Sequence, residues 1–132
     1  MNCLQNPPAL KINKLLYKDR STPAHVRLEQ RIVWNLLLVL EKAGFISHAV
    51  NDGEEEIKAL SKTTAMELLF NLDDAYLFLS HTSGEKLGSG ALRRVWVRFV
   101  FGNGTEVISD YNASNWQGFE NVMEKFDPEV YV

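Results

Sequence analysis

Ser89 is the residue of this chain whose surroundings come nearest to those of a catalytic nucleophile. It lies between Gly88 and Gly90, whereas a nucleophile elbow has its first glycine two positions before the serine, where this chain has Leu87. The same glycines are not followed by the Lys-Ser/Thr pair of a phosphate-binding loop. The sequence therefore predicts neither a catalytic serine nor a nucleotide site here.

Metal ligands do not assemble from the sequence either. The histidines are scattered without metal-ligand spacing: His25, His48 and His81. Asp52, Glu54 and Glu56 alternate as calcium ligands do, but the glycine and the terminal glutamate of an EF-hand loop are missing. We therefore predict a solvated turn and no metal-binding residue.

Three further carboxylates lie close to predicted element ends. Asp110 comes where a strand is predicted to end, and a carboxylate there can cap the next segment or act as a general base. Asp73 and Asp74 lie between a predicted helix and strand, where such residues usually accept bonds from backbone N–H groups. No catalytic partner can be identified for any of them. We expect no catalytic residue, no cofactor and no enzymatic activity.

Aromatic and arginine residues form the most distinctive surface that the sequence predicts. In a strand over residues 92–101, Val95, Val97 and Phe99 project to one side of the sheet. Five residues share the opposite side, here called the aromatic face: Tyr76, Phe78, Arg94, Trp96 and Arg98. Three interpretations stay open for this face. The arginine stems can pack along Trp96 or be covered by another element or subunit, the face can stack nucleic-acid bases, or it can bind a protein.

Charge is distributed unevenly along the chain. The 132 residues carry a formal charge of −3, which argues against a protein devoted to coating nucleic acid. Residues 1–21 contain Lys11, Lys14, Lys18 and Arg20 against Asp19, so they have a net charge of +3 and residues 22–132 carry −6. The first segment is either a basic arm or a short run of solvated lysines.

Cysteine usage and hydropathy indicate the compartment. Cys3 is the only cysteine, so no internal disulfide can form. The N-terminus lacks the apolar region of a signal peptide, and no apolar stretch is long enough to span a membrane. These features predict a soluble, cytoplasmic protein.

The first long helix is predicted between Thr22-Pro23, as N-cap and first helical residue, and Gly44, as its stop. Its second half is hydrophobic around most of its circumference, so more than one side must be covered. Either the helix is sandwiched between the sheet and another segment of the same chain, or two copies of the chain meet across it.

Turn and capping signals divide the rest of the chain. They predict strands over residues 45–50, 54–60 with Ile57 inward, 75–80, 92–101 and 106–110, a helix capped at Thr64, and a helix from Trp116 to Phe126. The Gly102-Asn103-Gly104 turn joins the last two strands. The predicted fold class is α+β, an antiparallel sheet of about five strands packed against helices in the order helix-strand-strand-helix-strand-strand-strand-helix.

The predicted domain organisation is simple. Residues 1–21 form a basic lead-in that is poorly anchored, although Leu10, Ile12, Leu15, Leu16 and Tyr17 offer apolar surface to dock against the body or a partner. Residues 22–132 form one domain, long enough to build a core without metal or disulfide.

Four short motifs carry a resemblance to known proteins: Val50-Asn51-Asp52-Gly53, Phe70-Asn71-Leu72-Asp73, Phe101-Gly102-Asn103-Gly104 and Ile108-Ser109-Asp110-Tyr111. In these motifs the chain resembles small uncharacterised proteins of bacterial phages, prophages and plasmids, over roughly residues 26–126. The resemblance implies a bacterial, mobile-element setting and an accessory protein that works by binding. It brings no catalytic residues.

Two functions therefore remain open at this point. The first is a small non-enzymatic interaction or regulatory protein, which binds a protein partner or a second copy of itself through the aromatic face or the wide helix. The alternative is a nucleic-acid-binding accessory protein that uses the basic arm together with Arg94 and Arg98.

Overall fold

The computed structural model describes residues 23–132, which form three α-helices and five β-strands. In chain order these are α1 (Ala24–Lys42), β1 (Phe45–Asn51), β2 (Glu56–Lys58), α2 (Lys62–Leu69), β3 (Asp74–His81), β4 (Arg94–Val100), β5 (Ile108–Asn112) and α3 (Gln117–Lys125). Short 3-10 helices cover Gly104–Glu106 and Pro128–Tyr131. The predicted α+β class and element order are confirmed. The lead-in predicted at residues 1–21 lies outside the described residues.

The five strands form one sheet in the order β2-β1-β3-β4-β5, and every neighbouring pair is antiparallel. Strand β3 is central, paired with β1 along one side and with β4 along the other. The sequence favours this sheet because β-branched and aromatic residues alternate along β3 and β4 between glycine-containing turns.

One side of the sheet carries the hydrophobic core. Alternate residues of β3 and β4 are buried, with Leu77 opposite Val97 and Leu79 opposite Val95. Buried residues of all three helices belong to the same cluster, among them Leu36, Leu69 and Phe119. Each such large apolar side chain contributes about 1.5–3 kcal/mol on burial. The helices therefore pack on this side, and the aromatic face lies on the other.

Helix α1 is largely covered by its own chain. Ile32, Leu36 and Leu40 are fully buried, and α1 contacts the sheet, α2, α3 and both 3-10 helices. Val39, on the remaining side, is 39% exposed. Of the two predicted arrangements, the described residues show the sandwich between the sheet and other segments of the same chain.

The ends of α1 differ slightly from the prediction. The helix begins at Ala24, so Pro23 occupies the N-cap position rather than the first helical turn, and Thr22 lies outside the described residues. Gly44 follows the helix with a φ of 93°, which is favourable only for glycine. The predicted stop at Gly44 is confirmed.

A buried carboxylate joins α1 to the turn between β4 and β5. Glu29 is 1% exposed, and its Oε2 accepts hydrogen bonds from the backbone N–H groups of Gly102, Asn103 and Gly104 at 2.9, 2.7 and 2.7 Å. Gly102 and Gly104 have φ values of 97° and 60°, and this conformation points successive N–H groups into one concavity. The turn is thus a backbone anion site that the chain fills with its own side chain.

Three local predictions need correction. Ile57 was expected to face inward but is 38% exposed, because the short strand β2 turns Ala59 into the core instead. Helix α2 begins at Lys62 and not after Thr64, since the Ser61 hydroxyl accepts the Thr64 N–H at 3.1 Å and acts as the cap. Strand β5 begins later than predicted because the 3-10 turn Gly104–Glu106 precedes it.

Candidate interaction face

The strand register brings all five predicted residues of the aromatic face together. Tyr76 and Phe78 lie on β3, and opposite them on β4 are Arg98 and Trp96, respectively. Arg94 lies opposite Ser80 at the end of the same strand pair. Directly opposite residues of antiparallel strands have side chains on the same side of the sheet. All five side chains are half-buried.

The aromatic rings contact one another across the two strands. The Tyr76 and Trp96 ring centroids are 5.1 Å apart at an interplanar angle of 79°, an edge-to-face arrangement. Such pairs contribute about 0.5–1.5 kcal/mol beyond the area that they bury. The contact fixes the orientation of both rings, so the centre of the face is rigid.

Arg94 is held at one end of the face by two interactions. Its guanidinium carbon lies 4.3 Å from the centroid of the Phe78 ring, within cation–π distance. Its Nη1 donates a hydrogen bond of 2.9 Å to Oε2 of Glu56 on β2. Glu56, one of the carboxylates of the predicted solvated turn, therefore supplies the counter-charge of Arg94.

Arg98 is held at the other end in a similar way. Its Nε and Nη2 donate to the two carboxylate oxygens of Asp74, at 3.0 and 2.6 Å, and its guanidinium lies 5.8 Å from the Tyr76 ring centroid. The hydrogen bond from Arg98 holds the pKa of Asp74 below its ordinary value of 3.8. The same bond raises the pKa of Arg98. This two-point pairing is the geometry in which arginine and carboxylate bind most specifically.

One interpretation left open for the aromatic face had the arginine stems packed along Trp96; the guanidinium groups of these arginines lie over Phe78 and Tyr76. One prediction about a neighbouring carboxylate needs correction. Asp74 was expected to bond to backbone N–H groups and instead binds Arg98. Because β3 and β4 are directly paired, Asp74 and Arg98 come within reach across the sheet, and a charged partner displaces the weaker local bond.

A groove extends the aromatic face beyond Arg94. It has a volume of ≈ 470 Å³ and is lined by His48, Phe78, Leu87, Ala91, Leu92 and Arg94. Leu87 and Leu92 come from the connection before β4, in which Lys86 and Leu92 form an isolated β-bridge. Sequence analysis missed these lining residues. The signal available was a pair of leucines within a glycine-rich segment, which gives no position relative to the sheet.

The other candidate residues have structural roles. Asp52 accepts hydrogen bonds from the backbone N–H groups of Glu54 and Glu55 at 2.9 and 3.0 Å. The bond from Glu55, followed by the bond from Glu54, holds the pKa of Asp52 below its ordinary value of 3.8. Asp110 lies within β5 and accepts the adjacent Tyr111 N–H at 2.8 Å. Within residues 23–132, no group of three or more histidine, cysteine, aspartate or glutamate side chains is placed to hold a metal ion.

Comparison with protein-family models, curated proteins and solved structures gives no match for this chain. None of the helices in the described part of the chain combines the length and the apolar character needed to cross a bilayer.

Proposed function

We propose that this protein is a small non-enzymatic accessory protein that binds another protein through the aromatic face. The observation that carries the proposal is the arrangement of Tyr76, Phe78 and Trp96 between two arginines on the side of the sheet opposite the helices. Tyrosine, tryptophan and arginine are the residues most enriched at the energetic centres of protein interfaces. The mobile-element origin within bacteria is part of the proposal and rests on the sequence resemblance alone. A cytoplasmic location is also part of the proposal, and it rests on the single cysteine and on the hydropathy of the sequence.

The pairing of the arginines favours a protein over a nucleic acid as the partner. Arg94 and Arg98 donate to Glu56 and Asp74, so both guanidinium groups are already close to a neutralising carboxylate. Phosphate binding would have to displace these carboxylates or tolerate their repulsion. A protein partner can instead match the alternating charges at the two ends of the face, which gives specificity and orientation.

The test is capture of a partner by the purified full chain carrying an affinity tag, with Trp96→Ser compared against Leu60→Ser. Leu60 is 66% exposed and lies outside the aromatic face, so it is a matched loss of apolar surface. We expect one defined protein to be enriched equally by the unmodified chain and by Leu60→Ser. The Trp96→Ser variant should retain it at least about tenfold less, since hot-spot residues contribute roughly 2 kcal/mol or more.

Folding of each variant is checked by circular dichroism. If Trp96→Ser does not fold, Arg94→Ala tests the same face while leaving the three aromatic residues in place. Equal retention of the same protein by folded Trp96→Ser or Arg94→Ala would overturn the proposal. So would captured material that is released by nuclease and by rising salt, which is the behaviour of the nucleic-acid alternative. Self-association lost only in Trp96→Ser would identify a second copy as the partner.

A further inference from the structure

The turn between β4 and β5 contains the only Asn-Gly pair of the sequence, Asn103-Gly104. Asparagine followed by glycine is prone to spontaneous deamidation, because glycine has no side chain to hinder attack by its own backbone nitrogen. The nitrogen attacks Cγ of the asparagine side chain and closes a five-membered ring. Asn103 is exposed to solvent, so water can reach a ring formed at this position.

The reaction has two steps. In the first, a bond forms between the Gly104 nitrogen and Cγ of Asn103, and Nδ2 leaves as ammonia after it takes up the proton of the Gly104 N–H. In the second, water opens the resulting succinimide at one of its two carbonyl carbons and gives aspartate or isoaspartate. One water is consumed and one ammonia is released, and no oxidant or reductant takes part.

Glu29 restrains the nucleophile of this reaction. The Gly104 N–H donates to Oε2 of Glu29 at 2.7 Å, and the Asn103 N–H donates to the same oxygen at 2.7 Å. Between these two bonds the ψ of Asn103 is 7°. Because ψ is the torsion angle between the two backbone nitrogens, a value near zero turns the Gly104 nitrogen toward the Asn103 nitrogen and away from Cβ. The nitrogen therefore points away from the carbon that it must attack.

The leaving group is restrained as well. Nδ2 of Asn103 donates to the carbonyl oxygen of Val100 at 3.0 Å, which holds the side chain against the end of β4. Ring closure requires rotation of the Gly104 nitrogen toward Cγ of Asn103, and this rotation carries its N–H away from Oε2 of Glu29. The bond between the turn and α1 must therefore open before Asn103 can react.

We propose that Asn103 is a site of spontaneous deamidation that the bonds to Glu29 suppress, so that it reacts only in molecules whose turn has detached from α1. The products favour the detached turn. Isoaspartate adds one carbon to the main chain before Gly104, so the three N–H groups no longer converge on one oxygen. Aspartate replaces the Nδ2 donor with an oxygen that has no proton to give to the Val100 carbonyl.

The experiment follows deamidation of Asn103 in the purified full chain at mildly alkaline pH, by mass spectrometry of the peptide that contains it. The unmodified chain is compared with Glu29→Ala and with Leu36→Ala. Leu36 is fully buried in the same helix, so Leu36→Ala also destabilises the fold but leaves the bonds of Glu29 in place. The unmodified chain in urea gives the rate for the unrestrained sequence.

We expect Asn103 in the folded unmodified chain to react at least about a hundredfold more slowly than in urea, because the reaction waits for local opening. Glu29→Ala should react at least about tenfold faster than the unmodified chain, since it removes three charge-assisted bonds that keep the turn closed. Leu36→Ala should react at the rate of the unmodified chain. Circular dichroism verifies that each variant folds, and Glu29→Gln takes the place of Glu29→Ala if the latter does not.

Equal rates in the unmodified chain and in the folded Glu29 variant would overturn the proposal. An equal acceleration in Leu36→Ala would also overturn it, because global unfolding and not the bond to α1 would then control the reaction. Slower deamidation in the Glu29 variant would overturn it by identifying Glu29 as the base that removes the Gly104 proton.

Discussion

At the scale of single residues, Glu29 shows how a charged side chain can be structural. Sequence analysis did not single it out, although a signal existed: Glu29 lies three positions after Val26 and four before Val33, within the apolar stripe of the helix. A carboxylate in that stripe must find donors inside the fold or remain hydrated. The donors are backbone N–H groups more than seventy residues away, and no local pattern predicts that distance.

Replacing Glu29 should test this role directly. We expect Glu29→Ala to lower the free energy of unfolding by about 2–4 kcal/mol, because it removes three charge-assisted bonds made by a buried carboxylate and leaves the N–H groups of the turn without that acceptor. The measurement is urea unfolding followed by circular dichroism. The control is Glu41→Gln, which breaks an exposed ion pair with Lys62 and should cost under about 1 kcal/mol. Equal losses in the two variants would contradict a special role for Glu29.

The pairing of Asp74 with Arg98 gives a pH-dependent prediction. The pKa of Asp74 is lower in the folded protein than its ordinary value of 3.8, so its stabilisation is complete above that value and is lost as the pH falls through the folded pKa. Asp74→Asn should therefore unfold at a lower urea concentration than the unmodified chain at about pH 6, and the two midpoints should converge below about pH 3. A difference of constant size over this range would contradict the assignment. Glu124→Gln, on the exposed side of α3, is the control and should show little difference at either pH.

At the scale of elements, most of the fold could be predicted and the boundaries could not. Alternating residues in β3 and β4, bounded by glycine-containing turns, define the strands. Because successive side chains point to opposite sides of a sheet, the sequence also predicts which side Leu77 and Trp96 face. Strand β2 was predicted too long and Ile57 was given the wrong side, since a three-residue edge strand carries too few positions to show alternation. The predicted residues of the aromatic face do lie together. Their carboxylate partners, Glu56 and Asp74, could not be predicted, because alternation along one strand does not specify which strands pair or in which register.

The junction between α1 and β1 depends on Gly44. A Cβ at this position would lie 2.5 Å from Nε2 of His81, and the φ of 93° is itself unfavourable for other residues. We expect Gly44→Ala to lower the unfolding free energy by about 1–3 kcal/mol, measured by urea unfolding. Gly88→Ala is the matched control, because a Cβ there would meet no heavy atom within 4 Å beyond its chain neighbours, and its φ is not in the left-handed range. Comparable losses in both variants would show that the Gly44 conformation is not required.

At the scale of the whole molecule, the burial of α1 bears on self-association. The sequence allows two ways to cover the wide apolar surface of this helix, and the described residues supply most of that cover from the same chain. Composition alone could not decide between them, because the same stripe would serve an internal core or an interface equally well. The apolar surface that stays exposed on the described residues includes the aromatic face with its adjoining groove, and side chains outside that face such as Val39, Leu60 and Val130.

A pair of substitutions in α1 distinguishes internal packing from a helix-mediated dimer. Leu36 is fully buried and Leu36→Ala should lower the unfolding free energy by about 2–5 kcal/mol, whereas Val39→Ala should cost under about 1 kcal/mol. If the chain itself covers α1, the thermal midpoint of either variant should not change with protein concentration. A midpoint that rises with concentration in the unmodified chain and loses this dependence in Val39→Ala would contradict internal packing.

The bond between Glu29 and the last turn also has a consequence for synthesis on the ribosome. Translation adds about 5–20 residues per second, so residues 102–104 emerge at least several seconds after Glu29. Until then the carboxylate keeps its water shell, which opposes sealing of the first helix against the nascent sheet. The native packing of the first helix therefore requires the hairpin of β4 and β5. We expect the domain to reach this packing only after that hairpin has left the exit tunnel.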